Sequence, residues 1–161
     1  MKTLYVLRHG QAAPEADSDS DHERELTLRG QAEVRRAASS LIERASQPTL
    51  VLSSSAARAR QTAELCRAAS PGNVALVVLD GLYLAEPTSY LSALALRAEP
   101  HEAVLLVGHN PGLEALIYVL TSHSEHLATA ALVELSLPIA GWAEVSGKGL
   151  GSGQIVHAFR P

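Results

Sequence analysis

The sequence predicts a three-layer α/β/α sandwich, with a mostly parallel central sheet and antiparallel edge strands at its carboxyl end. Three observations point there. Four short apolar runs recur along the chain, continuous rather than alternating, as in strands covered on both faces. A segment with helical apolar spacing follows each run, which is the rhythm of a sheet held between helices. After Ser122 the rhythm stops, and two strand-like runs follow without a helix between them.

Taken in order, residues 3–7 (TLYVL) form the first strand. The next helix starts at Thr27, which is suited to cap it, with Val34, Ala38, Leu41 and Ala45 on one stripe. Residues 49–54 (TLVLSS) give the second strand, and the helix after it stops before Pro71 and Gly72. Residues 73–80 give the third, followed by a helix with Pro87 in its first turn. Residues 103–109 (AVLLVGH) give the fourth. In the helix after it Asn110 is the expected cap, Pro111 takes the first helical position, and Leu113, Leu116, Ile117 and Leu120 face inward. The tail supplies the strands ALVELSL and GQIVHAF, with the glycine-rich SGKGLGSG read as a hairpin turn. Tyr90 and Trp142 read as packing residues, and the acidic segment 15–25 as a mobile loop.

Bulk properties narrow the class. A chain of 161 residues fits one domain, 1–161. With 47 % hydrophobic but only 4 % aromatic residues, the core must be built from Leu, Val and Ala. A net charge of −4 without a Lys/Arg cluster argues against nucleic acid as the partner. The single cysteine, Cys66, lies in an apolar-periodic segment and reads as a buried, inert thiol. No basic-then-apolar leader opens the sequence and no apolar run approaches ~20 residues, so a cytoplasmic protein without a membrane partner is expected.

In open α/β sheets ligands bind beyond the carboxyl ends of the parallel strands. The first strand brings Arg8 and His9 to that edge, the second brings Ser53, Ser54, Ser55 and then Arg58, and the fourth brings His109 and Asn110. No carboxylate adjoins Arg8, His9, Arg58 or His109 in sequence, so the edge is cationic, and the helix after His109 adds its positive end. An oxygen-rich dianion, phosphate first, is the expected guest, since arginine forks match its oxygens. A neutral imidazole can attack phosphorus directly, and His9 beside Gly10 is placed for that; Gly10 would let the backbone turn sharply and approach the ligand.

At these residues the sequence resembles the histidine phosphatase (phosphoglycerate mutase-like) superfamily. The resemblance rests on LRHG at 7–10, LTLRGQAE at 26–33, SSAARARQTAE around Arg58 and LVGHNPGLE around His109, in order along most of the chain. The short length resembles the small SixA-type phosphohistidine phosphatases. The resemblance implies that His9 is the nucleophile and that Arg8, Arg58 and His109 clamp the phosphoryl oxygens, His109 being catalytic as well as phosphate-binding. It implies no metal and no other cofactor. Many members carry an acid after the third strand that protonates the leaving group, and here Glu86 is the candidate.

Other readings bear on the same residues. Ser53–Ser55 read as a helix-capping turn, because the Gly-x-Ser-x-Gly elbow of a serine nucleophile is absent. Arg60 reads as a solvated helix residue, His22, His101 and His157 as surface or edge groups, and His123 with His126 as a solvated loop. The glycine-rich SGKGLGSG lacks the order of a phosphate loop. The function expected is a phosphatase working through phosphohistidine on His9. Its substrate would be a phosphohistidine on a protein, such as a phosphotransfer domain or phosphocarrier, or else a small sugar or nucleotide phosphate. An open pocket suits the protein, and an ordered flap at residues 11–26 would suit the small molecule. A phosphate-binding module without turnover is the alternative of another class. Mutase activity would need a second cationic patch, which the sequence does not offer.

Overall fold

The computed structural model describes residues 1–161. Its strands are β1 (Lys2–Arg8), β2 (Leu50–Ser54), β3 (Ala75–Leu79), β4 (Ala103–Gly108), β5 (Leu132–Leu137) and β6 (Gln154–Phe159). They form one sheet in the order β3-β2-β4-β1-β5-β6. The first four strands in that order run parallel, while β5 and β6 are antiparallel additions beside β1. The helices are α1 (Leu28–Ile42), α2 (Ala57–Ala69), α3 (Pro87–Arg97) and α4 (Gly112–Thr121). This is the sandwich that the continuous apolar runs predict.

Successive side chains of a strand point to opposite faces, and the core divides accordingly. Leu4 and Val6 of β1 join Val104 and Leu106 of β4 in the cluster under α3 and α4. Tyr5 and Leu7 join Leu105 and Val107 in the cluster under α1 and α2, where Val34, Ala38, Ala63 and Cys66 lie. Leu113, Leu116, Ile117 and Leu120 are all fully buried. Each such aliphatic side chain removed from water contributes on the order of 2 kcal/mol, so the two faces together fix the sheet. Burial pushes the Cys66 thiol up to about 12, which leaves it an unreactive core group. No helix is long and apolar enough to cross a membrane.

Four sequence expectations differ from the structure. Helix α1 ends at Ile42, so Ala45 lies outside it and is exposed. Helix α4 begins at Gly112 with Pro111 at its cap position, because the Asn110 amide is engaged elsewhere: it donates to Glu114 Oε1 (2.8 Å) and the Leu127 carbonyl (2.9 Å). The link from β5 to β6 is no tight turn. It spans residues 138–153 and buries Trp142, whose indole N–H donates to the His101 carbonyl (2.6 Å). Finally, the acidic segment is not a free loop. An Ala12–Leu26 bridge closes it at the base, and 3₁₀ turns at Glu15–Asp17 and Asp21–Glu23 shape it.

Candidate active site

The parallel register decides which residues meet. Arg8 pairs with Gly108 at the end of β1 and β4, so His9 and His109 leave the sheet side by side. Their rings lie 5.1 Å apart at 56°. Arg58, on the first turn of α2, reaches across the same edge with only 2 % of its surface exposed. His9 therefore meets both His109 and Arg58 at this edge.

The hydrogen bonds of His9 specify its tautomer. Its Nδ1 lies 2.7 Å from the Gly10 carbonyl, an acceptor only, so Nδ1 carries the proton. Its Nε2 accepts from Arg58 Nε at 3.3 Å and therefore holds the lone pair. Burial, aided by the charges of Arg58 and Arg8, brings His9 down to about 4, although the bond to Gly10 opposes this. The ring is thus neutral near pH 7, with a nucleophilic nitrogen facing the cations. His109 is brought down to about 3, first by burial and then by His9 and Arg58. Its Nε2 sits 2.7 Å from Ser54 Oγ, while Nδ1 is buried without a partner. Arg8 donates to the Leu127 carbonyl through Nη1 (2.9 Å), and its buried Nε is likewise unpartnered. Unspent buried polar groups beside two arginines suit an oxyanion.

Gly10 serves differently from expectation. Its backbone is not left-handed; a Cβ there would lie 2.7 Å from Val34 Cγ2 and 2.8 Å from the Gly30 carbonyl. The glycine lets β1 run tight against α1, which seats His9, rather than turning the chain. Thr62 fixes the same point by accepting the Gly10 N–H at 3.1 Å.

Several groups at the site were not singled out by the sequence. Ser54, read as part of a capping turn, does accept the Ala56 N–H (3.2 Å) but also holds His109. Asp21, from the acidic loop, accepts from Arg58 Nη2 (3.1 Å), from Arg24 Nε (3.0 Å) and from the Tyr83 hydroxyl (2.5 Å). The Tyr83 bond, followed by the Arg58 charge, brings the Asp21 carboxyl down to about 2 despite some desolvation. Tyr83 stands edge-on to His109 at 5.7 Å and to His22 at 4.9 Å. His22, read as a surface group, lies against Ser55 Oγ (2.9 Å) at the site's wall. Glu86, by contrast, is exposed and its carboxylate makes no hydrogen bond. The 390 Å³ groove lined by Leu79, Leu82, Ser92, Leu96 and Arg97 shares none of the four clustered residues.

An α/β sandwich that gathers two arginines and two neutral histidines on its carboxyl edge belongs with the phosphoryl-handling hydrolases. The profile of the histidine phosphatase superfamily (branch 1) matches residues 4–83. An uncharacterised protein of Picosynechococcus is 35 % identical over 141 residues, 82 % of this chain and 83 % of that one. Among solved structures, SixA of Agrobacterium tumefaciens is 30 % identical and superposes with a TM-score of 0.82, covering 99 % of this chain and 98 % of that one. The protein histidine phosphatase SixA complexed with tungstate is 26 % identical, with a TM-score of 0.81 over 99 % and 97 % of the two chains. A mycobacterial glucosyl-3-phosphoglycerate phosphatase, 18 % identical, shares the fold alone, with a TM-score of 0.69 over 96 % and 97 %. The chain belongs to the histidine phosphatase superfamily and is a phosphatase of the SixA type.

Proposed function

We propose that the chain removes a phosphoryl group through a covalent phosphohistidine on His9 and that its substrate is a phosphohistidine carried by a protein. The observation that carries this reading is the state of His9: proton on Nδ1, held by Gly10, and lone pair on Nε2, facing Arg58. Nε2 attacks phosphorus, the substrate's P–N bond breaks, and its electron pair leaves on the substrate imidazole, which takes up a proton. Water then attacks the same phosphorus, the P–Nε2 bond breaks, and inorganic phosphate departs with His9 restored. Nδ1–H stays on Gly10 throughout, which keeps Nε2 the reacting atom. Arg8, Arg58 and His109 stabilise the equatorial oxygens electrostatically, so the mechanism calls for no metal.

The leaving group favours phosphohistidine. An imidazole departs with less acid help than an alkoxide, and the carboxylate after β3, Glu86, is exposed and makes no hydrogen bond. The relatives named SixA support the same choice, and one of them is complexed with tungstate, a tetrahedral oxyanion. A cytoplasmic setting suits such a partner. The second reading, a small phosphomonoester, is favoured by one observation: the segment between Ala12 and Leu26 is folded down onto Arg58, as a flap over a small substrate would be. Phosphate release from a phosphohistidine-bearing protein and from sugar, nucleotide and aryl phosphates, with EDTA present, decides between them. Fast release from phosphohistidine that is lost in His9→Ala supports the first reading. Faster turnover of an ester replaces it with the second, and release that survives His9→Ala refutes the covalent step.

A further inference from the structure

We propose that Asp21 is a positioning residue of this phosphatase site: it aims Arg58 at His9 and supplies the fixed negative charge that hastens departure of product phosphate. The inference rests on the assignment of Arg58 to phosphate binding.

Three bonds hold the Arg58 guanidinium. Nε donates to His9 Nε2, Nη1 donates to the Asp21 backbone carbonyl (2.7 Å), and Nη2 donates to Asp21 Oδ2 (3.1 Å). The far end of the side chain is thus held by Asp21 through main chain and carboxylate together, with the Tyr83 hydroxyl close by. Asp21 holds the guanidinium in the arrangement whose Nε points at His9 Nε2.

Asp21 is itself restrained at both oxygens. Oδ2 accepts from Tyr83 and Oδ1 from Arg24, which also donates through Nη1 to the Ala13 carbonyl (3.0 Å) at the base of the loop. The 3₁₀ turn that carries it spans Asp21–Glu23, and the Ala12–Leu26 bridge closes the loop behind it. The position is therefore defined by the fold rather than by a chance rotamer. Asp21 is also ionised at any working pH, since its neighbours hold it near 2, so a proton-shuttling role is disfavoured.

Alignment and charge act on different quantities. Losing the carboxylate frees Arg58 to turn from His9, which slows phosphoryl transfer. The same loss leaves the pocket one charge more positive, which tightens any bound anion. A residue that merely supports the loop would weaken both.

The test measures kcat and phosphate inhibition, together with tungstate binding by calorimetry, in wild type, Asp21→Ala, Asp21→Asn and Tyr83→Phe. Asp21→Ala should lower kcat about thirtyfold while binding phosphate and tungstate about fivefold tighter. Asp21→Asn, which keeps an acceptor for Arg58, should recover part of kcat but bind the anions as tightly as Asp21→Ala does. Tyr83→Phe retains the charge and should lower kcat modestly with anion affinity unchanged. Anion affinity that falls or stays constant in both Asp21 variants overturns the proposal, as does an unchanged kcat in Asp21→Ala. Tungstate binding needs no turnover, so this result stands apart from the choice of substrate. Arg58→Ala binding tungstate as well as wild type would instead refute the phosphate-binding assignment on which the proposal rests.

Discussion

Lowering the pH from 7 to 5 should cost the folded protein about 2 kcal/mol through each of His9 and His109. Both imidazoles titrate at the ordinary 6.5 when the chain is unfolded, but at about 4 (His9) and about 3 (His109) when folded. Between those values the unfolded chain binds protons that the folded chain refuses. The stability these groups confer is therefore complete above 6.5 and is lost as pH falls toward the folded values. Since both folded values lie well below 5, the change from pH 7 to 5 is set almost wholly by the unfolded chain, and protonating one imidazole there is worth about 2 kcal/mol. The rings are 5.1 Å apart, so a proton on one opposes a proton on the other, and the folded state has no easy escape.

Urea denaturation of wild type, His9→Gln and His109→Gln at pH 7 and pH 5 measures this. Carboxylates elsewhere titrate alike in all three proteins and cancel in the comparison. Each variant should lose about 2 kcal/mol less than wild type between the two pH values. If His9→Gln loses as much as wild type, His9 already carries a proton at pH 5 in the folded protein. The depression of the His9 pKa by burial and by Arg58 would then be wrong.

Other changes have equally definite outcomes. Ser54→Ala removes the partner of His109 Nε2 at 2.7 Å and the acceptor of the buried Ala56 N–H, and should lower kcat about tenfold and stability by about 1–3 kcal/mol, as paired kinetics and calorimetry would show. Gly10→Ala places a Cβ 2.7 Å from Val34 and 2.8 Å from the Gly30 carbonyl; urea denaturation should register a loss of about 1–3 kcal/mol, and none at all would mean that β1 and α1 separate freely. Glu86→Gln should leave aryl phosphate turnover within about twofold of wild type, because the exposed carboxylate makes no hydrogen bond. Trp142→Ala, in a fully buried position, should destabilise the fold by about 3–5 kcal/mol without changing KM, since it packs under α3 and bonds the His101 carbonyl before β4, at the opposite end of that strand from His109.

The parts of the site that sequence exposes are those fixed by topology. Once four apolar runs are parallel strands, the residues directly after them must share an edge, whatever their side chains do. Arg8, His9 and His109 follow from that, and Arg58 follows because it sits on the first turn after β2. Side-chain geometry carries no such periodicity. Ser54 shows this, for its neighbours Ser53 and Ser55 look identical in sequence, yet it is Ser54 whose hydroxyl meets His109.

Asp21 is a harder case of the same kind. It is one of six carboxylates between Glu15 and Glu25, and all but Glu15 adjoin a Ser, His or Arg. What selects it is the phase of a 3₁₀ turn, and nothing in the composition of the loop encodes that phase. One physical signal was nevertheless available. A pocket with Arg58 buried beside a half-buried Arg8 and no acid adjacent in sequence carries uncompensated charge, which a folded protein seldom tolerates. The compensating carboxylate had to come from elsewhere in the chain, and the acidic loop joined directly to β1 was the nearest source. The segment after β3 follows the same logic with a different outcome. The family resemblance points to Glu86 there, but Tyr83, three residues earlier, is the side chain that leans on His109 and donates to Asp21. Packing sets this choice among neighbours: an aromatic ring fills the wall between two histidines, whereas a carboxylate so placed would stand against a second carboxylate already ionised.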